Sequence, residues 1–169
     1  TNMIETLYLY FLNNNITEEI DSIHILYGDC LFTHSSLQKI LEFPVSANSI
    51  ELPVDLSWKE KWSSRYDSIY DDAETLIYDE HYKLNEIGKR SSCSSDYMAQ
   101  FMGYIILNGE SIKAFYSYLN ALSPETRHNI SSTELLNDIS KSLPVYVRAE
   151  SFSWFEVDNI TDLKYAELS

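Results

Sequence analysis

The chain has 169 residues, of which 44% are hydrophobic and 14% aromatic, and it contains only 4 glycines and 4 prolines. This composition excludes a low-complexity or disordered chain and predicts a single globular domain, 1–169, with its own hydrophobic core. The 26 acidic and 12 basic residues give a net charge of −14, which argues against nucleic-acid and membrane-surface binding because phosphate backbones and anionic lipids repel it.

The first part of the sequence alternates helical and extended patterns. A helix over 2–13 begins with a capping pattern in which Asn2 precedes Glu5 by three residues. The elements predicted after it are strand 23–27, helix 35–42 and strand 49–54. This alternation predicts an α/β domain in which helices cover a parallel or mixed sheet.

An apolar run from Ile23 to Phe32 is interrupted by Gly28 and Asp29. A buried strand of an α/β sheet that ends in this way delivers its carboxylate to the carboxyl edge of the sheet, where ligands bind in such folds. The same dipeptide is also favourable in a simple turn. Asp29 is therefore a candidate site residue, and the turn remains an open alternative.

The middle of the chain combines an aromatic helix with a hairpin and a long strand. Trp58, Trp62 and Tyr66 recur at i+4 spacing, which is more typical of a packed core than of a ligand site. A hairpin of strands 73–78 and 83–88 is expected on the edge of the sheet. The next strand, 97–107, is interrupted near Gly103, where a glycine indicates a bulge or a close approach of the backbone to a ligand.

The last part of the sequence returns to helices and strands. A helix is predicted over 110–122, and Ser131 with Glu134 forms a capping box that begins another helix, which ends before Pro144. Strands 145–148 and 152–157 and a helix over 161–168 complete the pattern. We find no internal repeat and no flexible linker, so these elements belong to one domain.

Cysteine usage and hydropathy indicate the compartment. Cys30 and Cys93 lack metal-ligand spacing and are expected to be free thiols of a reducing compartment, with a single disulfide as the alternative. No apolar run approaches the roughly 20 residues that span a bilayer, and no signal peptide is visible. The expected location is therefore the cytoplasm.

A second carboxylate follows a strand near the end of the chain. Asp158 comes directly after the strand 152–157, just before the predicted helix. Two aspartates from separate strand ends can share one Mg²⁺, which makes Asp29 and Asp158 a candidate pair. Asp158 and Asp162 could instead be charges that favour the N-terminus of the helix.

The sequences of several segments resemble those of a known family. Leu-Tyr-Gly-Asp-Cys-Leu-Phe at 26–32 and Trp-Phe-Glu-Val-Asp-Asn-Ile-Thr-Asp-Leu-Lys-Tyr-Ala at 154–166 resemble the two metal-aspartate motifs of nucleotidyltransferases, which include sugar-phosphate and phosphocholine cytidylyltransferases. Between them, Asp72-Ala-Glu-Thr75, Glu86-Ile-Gly-Lys89 and Phe101-Met-Gly-Tyr104 follow an order similar to the branch that handles phosphocholine or 2-aminoethylphosphonate. The segment 54–58, with Trp62 and Arg65, also looks like that branch. The resemblance extends over nearly the whole chain.

This resemblance implies a fold and a reaction. The fold would be a Rossmann-like α/β sandwich, with a mixed sheet flanked by helices. The reaction would transfer a nucleotidyl group from a nucleoside triphosphate, expected to be CTP, to a phosphorylated acceptor and release pyrophosphate. By the match, Asp29 and Asp158 would hold Mg²⁺ and Lys89 would approach the phosphates, although Lys89 also fits an ordinary solvated lysine.

The acceptor site is implied by the same resemblance. Gly103 would let the backbone approach the acceptor. A quaternary-ammonium acceptor would require aromatic faces and nearby carboxylates. The candidates are Trp62, Tyr104, Glu74 and Glu156.

One part of the family pattern has no counterpart here. The glycine-rich loop that binds the triphosphate is missing, since residues 1–22 contain nothing similar. We expect the chain to be the central and carboxy-terminal part of the domain, with the missing amino-terminal segment as a partner. The alternatives are an inactive truncated relative, a sugar-1-phosphate nucleotidyltransferase, and a non-catalytic acidic α/β module that binds a protein.

Overall fold

The computed structural model describes residues 2–14, 20–44, 46–63, 68–160 and 162–163. The strands are β1 (Ser22–Leu26), β2 (Cys30–Phe32), β3 (Ile50–Asp55), β4 (Leu76–Tyr78), β5 (Leu84–Ile87), β6 (Gln100–Phe101), β7 (Tyr104–Asn108), β8 (Val145–Glu150) and β9 (Trp154–Glu156). The helices are α1 (Met3–Asn13), α2 (His34–Leu41), α3 (Trp58–Ser63), α4 (Glu110–Ala121), α5 (Pro124–Asn129) and α6 (Ser132–Ile139).

The main sheet is mixed and five-stranded, with β3 near its centre. On one side β3 pairs with β8 in parallel, and on the other it pairs antiparallel with β7 and β6. Strand β1 pairs antiparallel with β7. Helices flank this mixed sheet, so the predicted α/β fold class is confirmed.

Strand β1 is not the buried strand that the sequence predicts. Among the described residues it pairs only with β7, and of its five residues only Ile25 is buried. The apolar pattern at 23–27 therefore belongs to a strand at the edge of the sheet, because β3 and β7 occupy the centre. Residues 30–32, which the sequence leaves unassigned, form β2, and this strand pairs with β9 in a separate two-stranded sheet.

Two hydrophobic clusters cover the two faces of the main sheet. One contains Ile50, Leu52 and Val54 of β3, together with residues of α1, α4 and α6. The other is aromatic and includes Trp58 and Trp62, which are 1% and 2% exposed. The interpretation of the aromatic helix as core is thus confirmed for these two tryptophans, whereas Tyr66 and Arg65 lie outside the described residues.

Two buried carboxylates anchor β3 to its neighbours. Glu51 accepts hydrogen bonds from Arg148 of β8 at 3.0 and 2.6 Å. Asp55 accepts from Lys61, from the Phe152 amide at 3.1 Å and from Trp154 Nε1 at 3.1 Å. Burial raises the pKa of Asp55, but the hydrogen bonds from Lys61, Ser57 and the Phe152 amide outweigh burial and hold the pKa below its usual value.

The remaining elements largely follow the predicted pattern. The hairpin β4–β5 lies beside β8, where Val147 N donates to Tyr82 O at 2.8 Å. The capping box at Ser131 and Glu134 is present and begins α6. Helix α5 is an addition that the sequence analysis did not predict, and the predicted helix 161–168 falls mostly outside the described residues. No described helix combines the length and the apolar character that crossing a membrane requires.

Candidate active site

The pairing of β2 with β9 brings the two sequence-predicted aspartates to the same edge of the molecule. Cys30 lies opposite Glu156 in this two-stranded sheet. One residue further out on each strand, Asp29 O accepts a hydrogen bond from Val157 N at 2.9 Å. The segments that carry Asp29 and Asp158 are therefore adjacent.

Three carboxylates form a cluster at this edge. One ligand atom from each of Asp72, Glu156 and Asp158 lies within 4.8 Å of the others. Asp72 and Asp158 are exposed, and Glu156 is half-buried. Oxygen ligands this close together fit one divalent cation of the Mg²⁺ type. The cluster contains Asp158 but not Asp29, whose side chain lies beside Cys30 with Oδ1 3.7 Å from the thiol sulfur.

The loop that carries Asp72 is held by an arginine. Arg90 Nη1 donates to the backbone carbonyls of Tyr70, Asp71 and Ala73 at 3.2, 3.1 and 2.7 Å. Three carbonyls bound by one guanidinium nitrogen fix the path of the chain around Asp72. The position of this carboxylate is therefore set by a contact from Arg90, which is distant in sequence.

Asp158 is positioned by a neighbouring turn. The amides of Asp158 and Asn159 both donate to Asp162 Oδ2 at 3.2 Å. In return, the Asp162 amide donates to Asn159 Oδ1 at 3.2 Å, so Asn159 and Asp162 bind each other's amides as in a capping box. Asp158 presents an exposed carboxylate to the cluster.

The pKa values of two neighbouring residues are raised, chiefly by burial and further by the charges around them. Burial, followed by the charges of Glu156, Asp29 and Asp158, raises the pKa of the Cys30 thiol far above its usual value, so the thiol stays protonated. Burial also raises the pKa of Tyr27 to about 12, with smaller contributions from charges that include Glu74 and Glu156. A cation bound here would relieve this repulsion.

A cavity of about 240 Å³ lies beside the cluster. It is lined by Tyr27, Asp72, Glu74, Thr75, Leu76, Ile87, Arg90, Gln100, Phe101, Gly103 and Glu156. Three of the predicted acceptor-binding residues, Glu74, Gly103 and Glu156, are among them. Since Asp72 and Glu156 also belong to the cluster, the cavity and the cation site adjoin.

Gly103 makes room for a tyrosine ring. Its φ is +67°, and a Cβ added there would lie 2.5 Å from Cγ of Tyr27. The Tyr27 hydroxyl is hydrogen-bonded to Ser132 Oγ at the start of α6. The interruption that the sequence shows at Gly103 thus separates β6 from β7 and lets Tyr27 form a wall of the cavity.

Three other candidates lie outside this cavity. Trp62 and Tyr104 are each 2% exposed and belong to the aromatic cluster, where the Tyr104 hydroxyl is 2.9 Å from His24 Nδ1. Lys89 is exposed and forms an ion pair with Glu86. It lines a separate open groove of about 630 Å³ with residues of α5 and α6.

Several lining residues were not identified as site residues from the sequence. Asp72 belongs to a quoted motif, Asp72-Ala-Glu-Thr75, but no role was assigned to it. Tyr27 and Phe101 lie within quoted motifs, and Gln100 immediately precedes one. The position of these residues in or beside the motifs is the sequence signal that could identify them. No such signal points to Arg90, because its role depends on the folded conformation of the loop that carries Asp72.

Comparisons with known proteins agree with the motifs. No family profile matches the chain. The chain is 26% identical over 173 residues to the CTP:phosphoglutamine cytidylyltransferase of Campylobacter jejuni, covering 97% of the chain and 66% of that protein. Among solved structures, the inositol-1-phosphate CTP transferase from T. maritima matches with a TM-score of 0.70 at 21% identity, over 99% of the chain and 60% of that structure. The CTP:phosphocholine cytidylyltransferase of Streptococcus pneumoniae matches with a TM-score of 0.56 at 16% identity, over 99% of the chain and 63% of that structure.

These relatives are nucleotidyltransferases, the family whose motifs the sequence resembles. The structural matches show that the chain has the Rossmann-like fold of these proteins. The chain spans only 66% of the length of the curated relative and 60% to 63% of the two structures. The comparison with the solved structures therefore concerns the fold.

Proposed function

We propose that this chain carries the cation-binding and acceptor-binding side of a cytidylyltransferase, which transfers CMP from CTP to a phosphorylated small molecule. The proposal rests chiefly on the cluster of Asp72, Glu156 and Asp158, two of which also line the adjoining cavity. The names of two relatives support it, since they specify CTP together with phosphoglutamine or phosphocholine.

The cluster fits Mg²⁺ by its chemistry. Mg²⁺ prefers carboxylate oxygens and is typically held by one or two carboxylates together with substrate phosphates. We assign Asp158, Glu156 and Asp72 as the residues that would hold it, and Asp29 remains a candidate at the same edge. When bound, Mg²⁺ would offset the negative charge that develops as two phosphate groups approach each other.

The proposed reaction needs no covalent step on the protein. An oxygen of the acceptor's phosphate or phosphonate attacks the α-phosphorus of CTP and forms a new P–O bond. The bond from the α-phosphorus to the oxygen that bridges to the β-phosphate breaks, and its electron pair leaves with pyrophosphate. The chain's own residues therefore act by binding and orienting two anions.

The charge of the cavity favours a cationic acceptor. Asp72, Glu74 and Glu156 line it, and Glu74 lies outside the proposed cation site. Arg90, the basic residue among the described lining residues, donates to three backbone carbonyls. Such a site attracts an ammonium group more strongly than the neutral hydroxyls of a sugar. This favours phosphocholine or 2-aminoethylphosphonate over a sugar 1-phosphate.

Nucleotide binding needs more than the residues of this chain. The glycine-rich segment that cradles a triphosphate has no counterpart in the sequence, and the matched relatives are longer. We propose that CTP is held by a further segment of the natural protein or by a second chain, with Lys89 approaching its phosphates. Lys89 is exposed near Thr75 of the cavity wall, since its amide donates to Thr75 Oγ1 at 3.1 Å.

We also propose a cytoplasmic location for this reaction. Cys30 and Cys93 are both free thiols. Free cysteines persist in reducing compartments, whereas secreted proteins tend to pair them. CTP and phosphorylated acceptors are substrates that fit such a compartment.

Pyrophosphate release tests the proposal. The natural protein, together with the segment or second chain that binds CTP, is incubated with Mg²⁺, each of the four nucleoside triphosphates, and phosphocholine, 2-aminoethylphosphonate or glucose 1-phosphate. We expect release with CTP and a cationic acceptor, and loss of release when Mg²⁺ is chelated. Release with glucose 1-phosphate alone would contradict the acceptor class, and absence of release under all conditions would contradict the activity.

A further inference from the structure

We propose that the cavity selects an acceptor with a primary ammonium group over one with a trimethylammonium group, and that Gln100 and Glu74 determine this choice. This inference rests on the function proposed above, because it concerns the acceptor of the same site. The sequence analysis does not choose between 2-aminoethylphosphonate and phosphocholine as acceptors. This inference distinguishes the two by their ammonium groups.

Gln100 presents an unsatisfied hydrogen-bond acceptor. It lies on β6 opposite Asp55 and lines the cavity. Its Oε1 is buried and has no hydrogen-bond partner among the described residues. A buried acceptor without a donor is destabilising. Because the terminal amide torsion of glutamine is soft, rotation about it can turn this oxygen toward a donor in the cavity.

Glu74 supplies the matching negative charge. Of the three carboxylates that line the cavity, Asp72 and Glu156 also belong to the proposed cation site. Glu74 is the half-buried lining carboxylate outside that cluster. It is therefore the residue placed to pair with an ammonium group of the acceptor while Asp72 and Glu156 hold the cation.

The described aromatic residues that line the cavity, Tyr27 and Phe101, do not form a cage for a quaternary ammonium. Tyr27 and Phe101 contact each other edge to face, with ring centroids 5.9 Å apart and an interplanar angle of 87°. Tyr27 also covers Gly103. Trp62 and Tyr104, the aromatic residues that the sequence analysis proposes for the acceptor site, are buried in the aromatic cluster. Recognition of a trimethylammonium requires several ring faces around the cation, and these rings are engaged with one another.

The two ammonium types differ in what they can donate. A primary ammonium has three N–H donors, enough for both Glu74 and Gln100 of the cavity lining, whereas a trimethylammonium has none. Replacing the donors with methyl groups would leave the Gln100 oxygen unsatisfied and would separate Glu74 from the charge. A loss of about 1.4 kcal/mol corresponds to tenfold weaker binding, so a preference of at least about tenfold is expected.

Titration with an N-methylated series measures this preference. The series is 2-aminoethylphosphonate carrying zero, one, two or three N-methyl groups, and its affinity for the chain is measured by calorimetry with Mg²⁺ present. We expect affinity to fall with each methyl group, by at least about tenfold over the series. Gln100→Leu and Glu74→Gln should each reduce this ratio, and Glu80→Gln, at an exposed carboxylate on the hairpin turn, should leave it unchanged.

The outcomes separate this inference from the proposed function. Equal or tighter binding of the trimethylated member, binding of no member, or a ratio that survives both Gln100→Leu and Glu74→Gln would overturn the inference. If pyrophosphate is released with the trimethylated acceptor and not with the primary amine, the inference is wrong and the activity stands. If the primary amine binds with the expected preference but no pyrophosphate is released, the activity is wrong and the specificity of the cavity stands.

Discussion

Asp29 and Val157 are joined by a backbone hydrogen bond of 2.9 Å from the valine amide to the aspartate carbonyl. This bond extends the pairing of β2 with β9 by one residue and places Asp29 beside the strand end that carries Asp158. Two segments more than 100 residues apart in sequence thus meet at one edge. Asp29, Asp72, Glu156 and Asp158 together form an acidic edge. This edge results from the pairing of β2 with β9 and from the loop that carries Asp72.

We predict that Asp29→Asn lowers Mg²⁺-dependent pyrophosphate release. Its side chain lies outside the three-carboxylate cluster, but its charge acts on the same surroundings, as the raised pKa of Cys30 shows. Release is measured as kcat/KM over a range of Mg²⁺ concentrations. Unchanged kcat/KM at every concentration would remove Asp29 from the site and leave it as a turn residue.

We predict that Lys89→Ala weakens turnover without abolishing it, by about tenfold in kcat/KM, because one phosphate contact is lost. The matched control is Lys141→Ala, since Lys141 is also exposed and forms an i,i+3 ion pair, in its case with Asp138. Steady-state kinetics with CTP measures both variants. Equal effects of the two substitutions would indicate that Lys89 is an ordinary solvated lysine.

We predict that Gly103→Ala destabilises the chain and weakens acceptor binding. An alanine at φ +67° is strained, and its Cβ would collide with Tyr27, so a loss of about 1–3 kcal/mol is expected. Gly28→Ala is the control, because a Cβ at Gly28 meets nothing within 4 Å. Urea unfolding compares the two variants. A Gly103→Ala chain as stable as the control would contradict the packing described for Tyr27.

Asp55 is predicted to make the stability depend on pH in the acidic range. Its folded-state pKa is lowered, so its contribution is fully present above the unfolded-state value of about 3.9 and is lost as the pH falls through the folded value. Removing a buried ion-pair partner costs about 3–5 kcal/mol, and we expect a loss of that size for Asp55→Ala at pH 7. Urea unfolding between about pH 7 and pH 3 tests both expectations.

A flat pH profile for the wild-type protein below about pH 4 would contradict this role of Asp55. Lys61 and the Trp154 indole both donate to this carboxylate. Trp154 begins the strand that ends at Glu156. The pH dependence of unfolding therefore also reflects the contacts that hold this strand in place.

Local signals in the sequence predicted most of the elements. The capping atoms at Asn2 and Ser131 and the interruption at Gly103 depend on near neighbours, and all three are present. The edge position of β1 could not be predicted, because an apolar strand pattern does not state how many neighbours the strand has. The pairing of β2 with β9 could not be predicted either, because it joins two segments that lie far apart in the sequence.

The composition of the site was only partly predictable. Asp158, Glu74, Glu156 and Gly103 were candidates and lie at the cluster or the cavity. Trp62 and Tyr104 were candidates because aromatic side chains can serve as core or as ligand contacts, and the sequence does not distinguish the two. Asp72 belongs to the cluster because Arg90 holds the loop that carries it. The spacing of residues in the sequence does not reveal this contact.

The most direct test of the proposed activity is the mass of the product formed from CTP and 2-aminoethylphosphonate with Mg²⁺. We predict a CMP adduct of the acceptor together with pyrophosphate from the wild-type protein when the segment or second chain that binds CTP is present. We expect a loss of more than about 100-fold in the rate with Asp158→Asn, because the cation site loses a carboxylate. The Glu80→Gln protein should match the wild type. An adduct formed equally well by Asp158→Asn, or no adduct from the wild-type protein, would contradict the assignment of the acidic edge as the active site.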